Sequence, residues 1–501
     1  MAEQTRSHDD REHLRAALDR SPITTPLLRR LDASEAESDG PRSALSATVR
    51  VVVDLNFDYI GGTANAALRV RDLISEAIGA VGSGAPQGVD DGRSMPGGQY
   101  VVAALEPAVV RRVAEEDRHA ATRSRSEQAI YRIWPDFKVR AHTNRSIATV
   151  KVDAARSTFS AWGDGIVWAV LDSGIDGKHP HFKKYKNLDL EAPIEHRDFV
   201  GGKSPLTDEF GHGTHVAGIL AGSAKGTRSA PLAAARRVRD ESGQTAYDEV
   251  QVTEISGMAP KAKLVSFKVL DENGDGETST IIAALQEISR INDNGRDVKI
   301  HGVNLSVGYP FDPEWFACGH SPLCNEVNQL VSTGVVVVVS AGNTGYGWNQ
   351  DFSGESSTAA GLDVTINDPG NAEGAITVGS THRDSPHQYG VSFFSSKGPT
   401  GDGRLKPDLV APGERILAPA AGALRAHASG KDWDYLEDSG TSMAAPHVSG
   451  AIAAFLSVRN EFIGEPDRVK DIFVHSAVDL KRVRDFQGNG LVDLLHALQS
   501  V

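Results

Sequence analysis

The chain has 501 residues, 40% hydrophobic and 24% charged, a balance that suits a folded globular protein and excludes wholesale disorder. That length makes room for two or three domains with at least one large core. A net charge of −14 repels phosphate backbones and argues against nucleic acid as a partner.

Met1 to Asp10 contains no apolar core segment and no twin arginine, so no secretory signal is read there. No apolar run approaches the roughly 20 residues needed to cross a bilayer. The expectation is a cytoplasmic chain without a membrane partner, or one exported by a non-classical route. Residues 1–45 are charged and weakly periodic, and read as a polar extension. Strands are predicted over Ala47–Asn56, Tyr100–Leu105 and Ile130–Trp134, where β-branched and aromatic residues concentrate. Helices are predicted over Ala64–Ile78 and Glu106–Glu116, with a glycine-rich loop from Gly79 to Gly98. The β-α-β-α-β order predicts a small α+β module of ferredoxin-like type over residues 46–143.

A larger unit follows over residues 144–501. Apolar strand candidates at Ile166–Asp172, Lys263–Leu270, Ile300–Ser306, Val335–Ser340 and Ala375–Gly379 alternate with helices. The alternation predicts an α/β three-layer unit, a parallel sheet covered on both faces. Ligands bind such sheets beyond the carboxyl ends of the strands, where Asp172, Ser306 and Asn343 fall. The charged stretch Ser223–Ser256 reads as a surface loop.

Four segments carry chemistry. Val170-Leu171-Asp172 delivers a carboxylate to a strand end, a place where a lone aspartate is most often a turn residue. His212-Gly213-Thr214-His215 enters an apolar helix; the His-Glu-x-x-His spacing of a zinc site is missing, and His215 reads as core or supporting. Gly440-Thr441-Ser442 opens another helix, whose free N–H groups and dipole would favour an oxyanion beside Ser442. Taken alone, Ser442 would be an N-cap. Pro446 agrees with a helix that begins there. Ser340-Ala341-Gly342-Asn343 follows the most apolar strand and offers an amide as a second donor. Together, Asp172, His212 and Ser442 supply a nucleophile, a base and the carboxylate that orients the base. Their order excludes the α/β-hydrolase arrangement.

These segments resemble the subtilisin-like serine proteases. So do Asn304-Leu305-Ser306-Val307-Gly308, Phe394 to Pro399 and Lys406 to Gly413, and the likeness runs from about residue 145 to 500. The resemblance implies a triad of Asp172, His212 and Ser442 with Asn343 as oxyanion donor. It implies substrate-binding edges at Gly274, Asp275 and Gly276 and at Ser306, Val307 and Gly308, with Ser340, Ala341 and Gly342 as the opposite pocket wall. Protein or peptide substrates would add as a strand between two edges, with broad specificity and a lean towards large apolar residues. Asp275, Glu272 and Glu277 would favour basic residues further out. The first module is expected to be a propeptide that inhibits the enzyme and is cut off between about Ala141 and Arg145.

The chemistry calls for no cofactor. Relatives bind calcium, but no ligand set is recognisable here. Asp271 to Gly276 matches half of an EF-hand loop, yet position twelve is Ile282 rather than glutamate, which rejects it. Cys318 and Cys324 are the only cysteines and leave a short bridge or two thiols open.

Overall fold

The computed structural model describes residues 21–34 in part, 48–120 apart from 84, 93 and 95–96, 124–135, and 145–501. Within the last span, residues 202–203, 228, 240–244, 311–316, 351–356 and 427–432 lie outside the description. The chain divides into two compact units, Met1–Ala141 and His142–Val501.

The first unit runs β1 (Val49–Leu55), α1 (Gly62–Val81), β2 (Gly88–Val89), β3 (Tyr100–Leu105), α2 (Pro107–Ala120) and β4 (Ile130–Pro135). Its sheet is antiparallel in the order β2-β3-β1-β4. Alternate residues Val51, Val53 and Leu55 are buried, and α1 buries Ala66, Val70, Leu73, Ile74 and Ala77 at helical spacing. Two features depart from the expectation. The glycine-rich stretch contains β2. The polar extension contributes to the core, because Ile23, Leu27 and Leu31 are buried with these residues, and Ile23 bridges Ile133 of β4. Leu27 and Leu31, four residues apart, share one helical face, while Ile23 enters the core through its bridge to β4.

The second unit is built on a seven-stranded sheet. Its strands are β5 (Val167–Asp172), β6 (Arg197–Asp198), β7 (Lys263–Lys268), β8 (Gly302–Leu305), β9 (Val336–Ser340), β10 (Ile376–His382) and β11 (Leu409–Glu414). They lie in the order β11-β10-β9-β8-β5-β7-β6, every pair parallel. Alternation sends Trp168, Val170, Val336 and Val338 into one apolar layer and Ala169, Leu171, Val337 and Val339 into the other. Helices α3 (His212–Leu220) and α6 (Thr441–Leu456) pack in the first layer, α4 (Thr278–Ile291) and α5 (Pro322–Ser332) in the second. The three-layer α/β architecture read from the sequence is the one observed.

Strand β11 and the strands within Ser223–Ser256 were not predicted from the sequence. β11 carries Pro412 and Gly413, which weaken a strand signal, but it is the last strand of the sheet, where proline is tolerated. The Ser223–Ser256 stretch is not a loop. Ser223–Lys225 pairs with Glu254–Ser256, and Ala234–Arg239 pairs with Thr245–Glu249, extending the sheet of Ile416–Pro419 and Tyr435–Asp438. The charged residues form its outer face, where Arg236 pairs with Asp248 at 3.2 Å, while Ala234 and Ala235 are buried. Among the described residues, no helix is long and apolar enough to cross a membrane.

Candidate active site

Asp172 is the last residue of β5 and is fully buried. His212 is the first residue of α3. The imidazole Nδ1–H donates to the Asp172 carboxylate, at 2.8 Å from Oδ1 and 3.0 Å from Oδ2. That bond fixes the tautomer and leaves Nε2 as the nitrogen able to accept a proton. Glycines on both sides of the histidine permit the approach. A Cβ on Gly213 would lie 2.2 Å from the Gly174 carbonyl oxygen and 3.1 Å from Asp172 Cβ. Gly211 has φ of +98°, and a Cβ there would lie 2.2 Å from the Ala421 carbonyl oxygen. Burial disfavours charge on His212, but the Asp172 carboxylate outweighs it, and with Asp438 and Asp208 raises the imidazole pKa to about 9.

Ser442 is the second residue of α6. Its hydroxyl donates to the Ser306 carbonyl at 3.1 Å, and the Ser306 hydroxyl donates to the Ser442 carbonyl at 2.9 Å. The second bond has a local cause. Pro446 has no N–H, so the Ser442 carbonyl loses its i+4 partner in the helix, and Ser306 replaces it. The helix begins one residue before the serine, and Pro446 lies beyond its first turn; this substitute bond is what accommodates it. Asn304 donates to Ser306 Oγ at 2.9 Å and accepts from Ser449 at 2.8 Å, so the exchange is held from below.

Asn343 follows β9. Its Oδ1 accepts from the N–H of Thr441 at 2.9 Å and from the Thr441 hydroxyl at 3.0 Å. Both donors identify the oxygen end, which leaves the Nδ2 amide hydrogens for a ligand.

His212, Ser442 and Asn343 line one cleft of about 540 Å³. Of the expected substrate-binding residues, Gly274, Asp275, Gly276, Ser306, Val307, Gly308, Ser340 and Gly342 line it too. Ala341 does not: its side chain is fully buried, and its main chain is bonded to Val378 and Asn367. Asp172 stands behind His212 rather than in the wall. The Gly274–Gly276 edge is held by Asp271, whose carboxylate accepts from the N–H groups of Asn273 and Asp275 at 2.8 and 3.0 Å. That carboxylate shapes a turn instead of an EF-hand. Sequence reading missed Phe210, Leu270, Ile281 and Tyr309, which add apolar walls. Each lies within a few residues of a recognised segment, which was the available signal.

His215 is buried, bonded through Nε2 to the Leu436 carbonyl, and lies outside the cleft wall. Cys318 and Cys324 are not bridged to each other. Burial pushes the Cys324 thiol up to about 12, with Asp368 adding to it, so this cysteine is inert at neutral pH. Among the described residues, no group of three or more His, Cys, Asp or Glu side chains is placed to hold a metal ion.

A parallel α/β sheet thus presents, at its carboxyl edge, a carboxylate–imidazole pair, a helix-borne hydroxyl and an amide donor around one cleft. Residues 163–490 match the profile of the Subtilase family, and the chain belongs to that family. It is 32% identical to the serine protease AprX of Bacillus subtilis over 333 residues, which are 64% of this chain and 63% of that protein. It is 29% identical to subtilisin-like protease 3 of Pseudogymnoascus destructans over 62% of this chain and 57% of that protein. The match to the major intracellular serine protease of Bacillus subtilis is 30%, over 66% of this chain and 82% of that protein. The chain therefore spans about three-fifths of the length of the first two relatives.

Proposed function

We propose that this chain is a serine endopeptidase that cleaves protein or peptide substrates through an acyl-enzyme. The observation that carries the reading is the Asp172–His212 hydrogen bond, with His212 lining the same cleft as Ser442. The Ser442 hydroxyl turns from the Ser306 carbonyl to His212 Nε2 and gives up its proton as Oγ attacks the scissile carbonyl. Asp172 stabilises the imidazolium that forms. The oxyanion is held by Asn343 Nδ2 and by the Ser442 N–H, a donor in the first turn of α6 that has no partner within the helix. His212 then protonates the leaving amine, and the same steps run in reverse with water. The chemistry needs no cofactor.

The apolar walls Leu270, Ile281 and Val307 support broad specificity with a lean towards large apolar residues. The first unit is proposed as an intramolecular inhibitor and folding template; its β-α-β-β-α-β order suits a ferredoxin-like propeptide. The expected cut between Ala141 and Arg145 falls on residues 141–144, which lie outside the described residues. The match to a relative named as intracellular favours action inside the cell. Two measurements test the proposal. A fluorophosphonate should label Ser442. Intact mass should show wild type shortened and Ser442→Ala uncut at 53.4 kDa; a mature wild type that never labels refutes the reading.

A further inference from the structure

Asp208 was singled out by no sequence motif, yet its carboxylate is nearly completely buried and accepts four hydrogen bonds. Oδ1 accepts from the Gly211 N–H at 2.7 Å and from the Ser173 hydroxyl at 2.8 Å. Oδ2 accepts from the Thr214 N–H at 2.7 Å and the Thr214 hydroxyl at 2.6 Å. Ser173 Oγ in turn accepts from the Gly213 N–H at 3.0 Å. Every N–H flanking His212, at Gly211, Gly213 and Thr214, is therefore tied to Asp208 or to Ser173. Ser173 directly follows Asp172, and its own N–H donates to Asp172 Oδ1 at 2.8 Å.

Resting on the serine-protease reading, we propose that Asp208 is a positioning residue for the Asp172–His212 pair, clamping the start of α3 to the end of β5 through Ser173. The requirement is specific to a carboxylate. Four donors converge on two oxygens, and only an ionised carboxyl accepts at both without presenting a hydrogen of its own. An asparagine would turn one end into a donor facing either Thr214 or the Gly211–Ser173 pair. The clamp also sets the local field. His212 faces carboxylates from three elements, Asp172 on β5, Asp208 in the loop before α3 and Asp438 ahead of Ser442, with His215 on its own helix.

The test uses the full chain and kinetics per active site, titrated with a fluorophosphonate. Asp208→Asn should lower kcat about 10- to 100-fold, because a misplaced base costs rate even at sub-ångström errors. KM should stay within about two-fold, because no substrate contact is removed. The acid limb of kcat/KM should move to lower pH, since one negative charge beside His212 is gone. Ser173→Ala should lower kcat in the same direction with a smaller limb shift, since the Asp208 charge remains. A role limited to stability would change the titratable fraction and leave both the limb and kcat per site at wild-type values; that result overturns the assignment. Should Asp208→Asn fail to fold, Ser173→Ala decides, and an unchanged kcat there overturns it as well. A mature wild type that does not label refutes the protease reading, whereas a labelling wild type with indifferent variants refutes only the clamp.

Discussion

Gly213→Ala is expected to disable the site while adding a single methyl group. Gly213 follows His212 on α3, and its Cα faces the end of β5. The added Cβ would lie 2.2 Å from the Gly174 carbonyl oxygen, and 3.1 Å from Asp172 Cβ. Ordinary contacts between heavy atoms begin near about 3.5 Å, so one side must retreat by about 1 Å. The strand side is held: Asp172 lies inside the parallel ladder against Lys268, and the Ile175 N–H beyond Gly174 is bonded to the Pro205 carbonyl. The helix start is tied only through hydrogen bonds to Asp208 and Ser173 and gives way before the ladder does, carrying His212 with it. A retreat of 1 Å would stretch the 2.8 Å bond to Asp172 beyond hydrogen-bonding length. A misplacement of that size costs about 100-fold in rate. Overpacking should cost a further ~1–3 kcal/mol of stability, or about 2–4 °C of Tm per kcal/mol. The assay is kcat on a chromogenic peptide per titrated active site, with a thermal melt beside it. An alanine variant with wild-type kcat would refute the argument that this glycine sets the carboxylate–imidazole distance.

Asp172→Asn should lower kcat by about 10⁴-fold, because the amide no longer holds the imidazole tautomer that accepts the serine proton. In wild type, activity should rise with pH as His212 loses its proton near pH 9, and titration of the imidazole by NMR in the Ser442→Ala protein should show its pKa falling when Asp172 is also changed to Asn. Burial holds His181 down to about 3 and His447 down to about 4, both below the unfolded value near 6.5. They fold uncharged, so the stability they lend is complete above pH 6.5 and lost as pH falls towards 4. Each contributes a slope of about 1.4 kcal/mol per pH unit in that window, and urea midpoints at pH 7 and 5 should show it. His212 acts in the opposite sense, lending stability below pH 6.5 that is lost as pH rises through about 9. Asp408 accepts from buried Lys406 at 2.7 Å and pairs with Lys470 at 3.2 Å. Asp408→Asn should therefore cost about 3–5 kcal/mol by leaving the buried Lys406 ammonium without its carboxylate, read as a lower urea midpoint.

The reach of the sequence followed the range of each interaction. Alternation along a strand and the 3.6-residue stripe of a helix are local properties, so Val336–Ser340 and Tyr100–Leu105 were legible to within a residue. The chemical segments were legible because each combines a strand end or helix start with a residue type suited to it. Where polar residues covered a buried stripe, as around Leu27 and Leu31, or proline interrupted a strand, as at Pro412, the local signal pointed elsewhere.

What the sequence determined alone was the inventory: two units, a parallel sheet, and a carboxylate, an imidazole, a hydroxyl and an amide at its carboxyl edge. Only the tertiary structure decided how they are held. Ser306 meets Ser442 across 136 positions, Thr441 meets Asn343 across 98, and Ser173 meets Asp208 across 35. No periodicity spans such gaps. They close because burial of both faces of the sheet brings the strand ends and helix starts together, and the donors and acceptors left there must satisfy one another away from water.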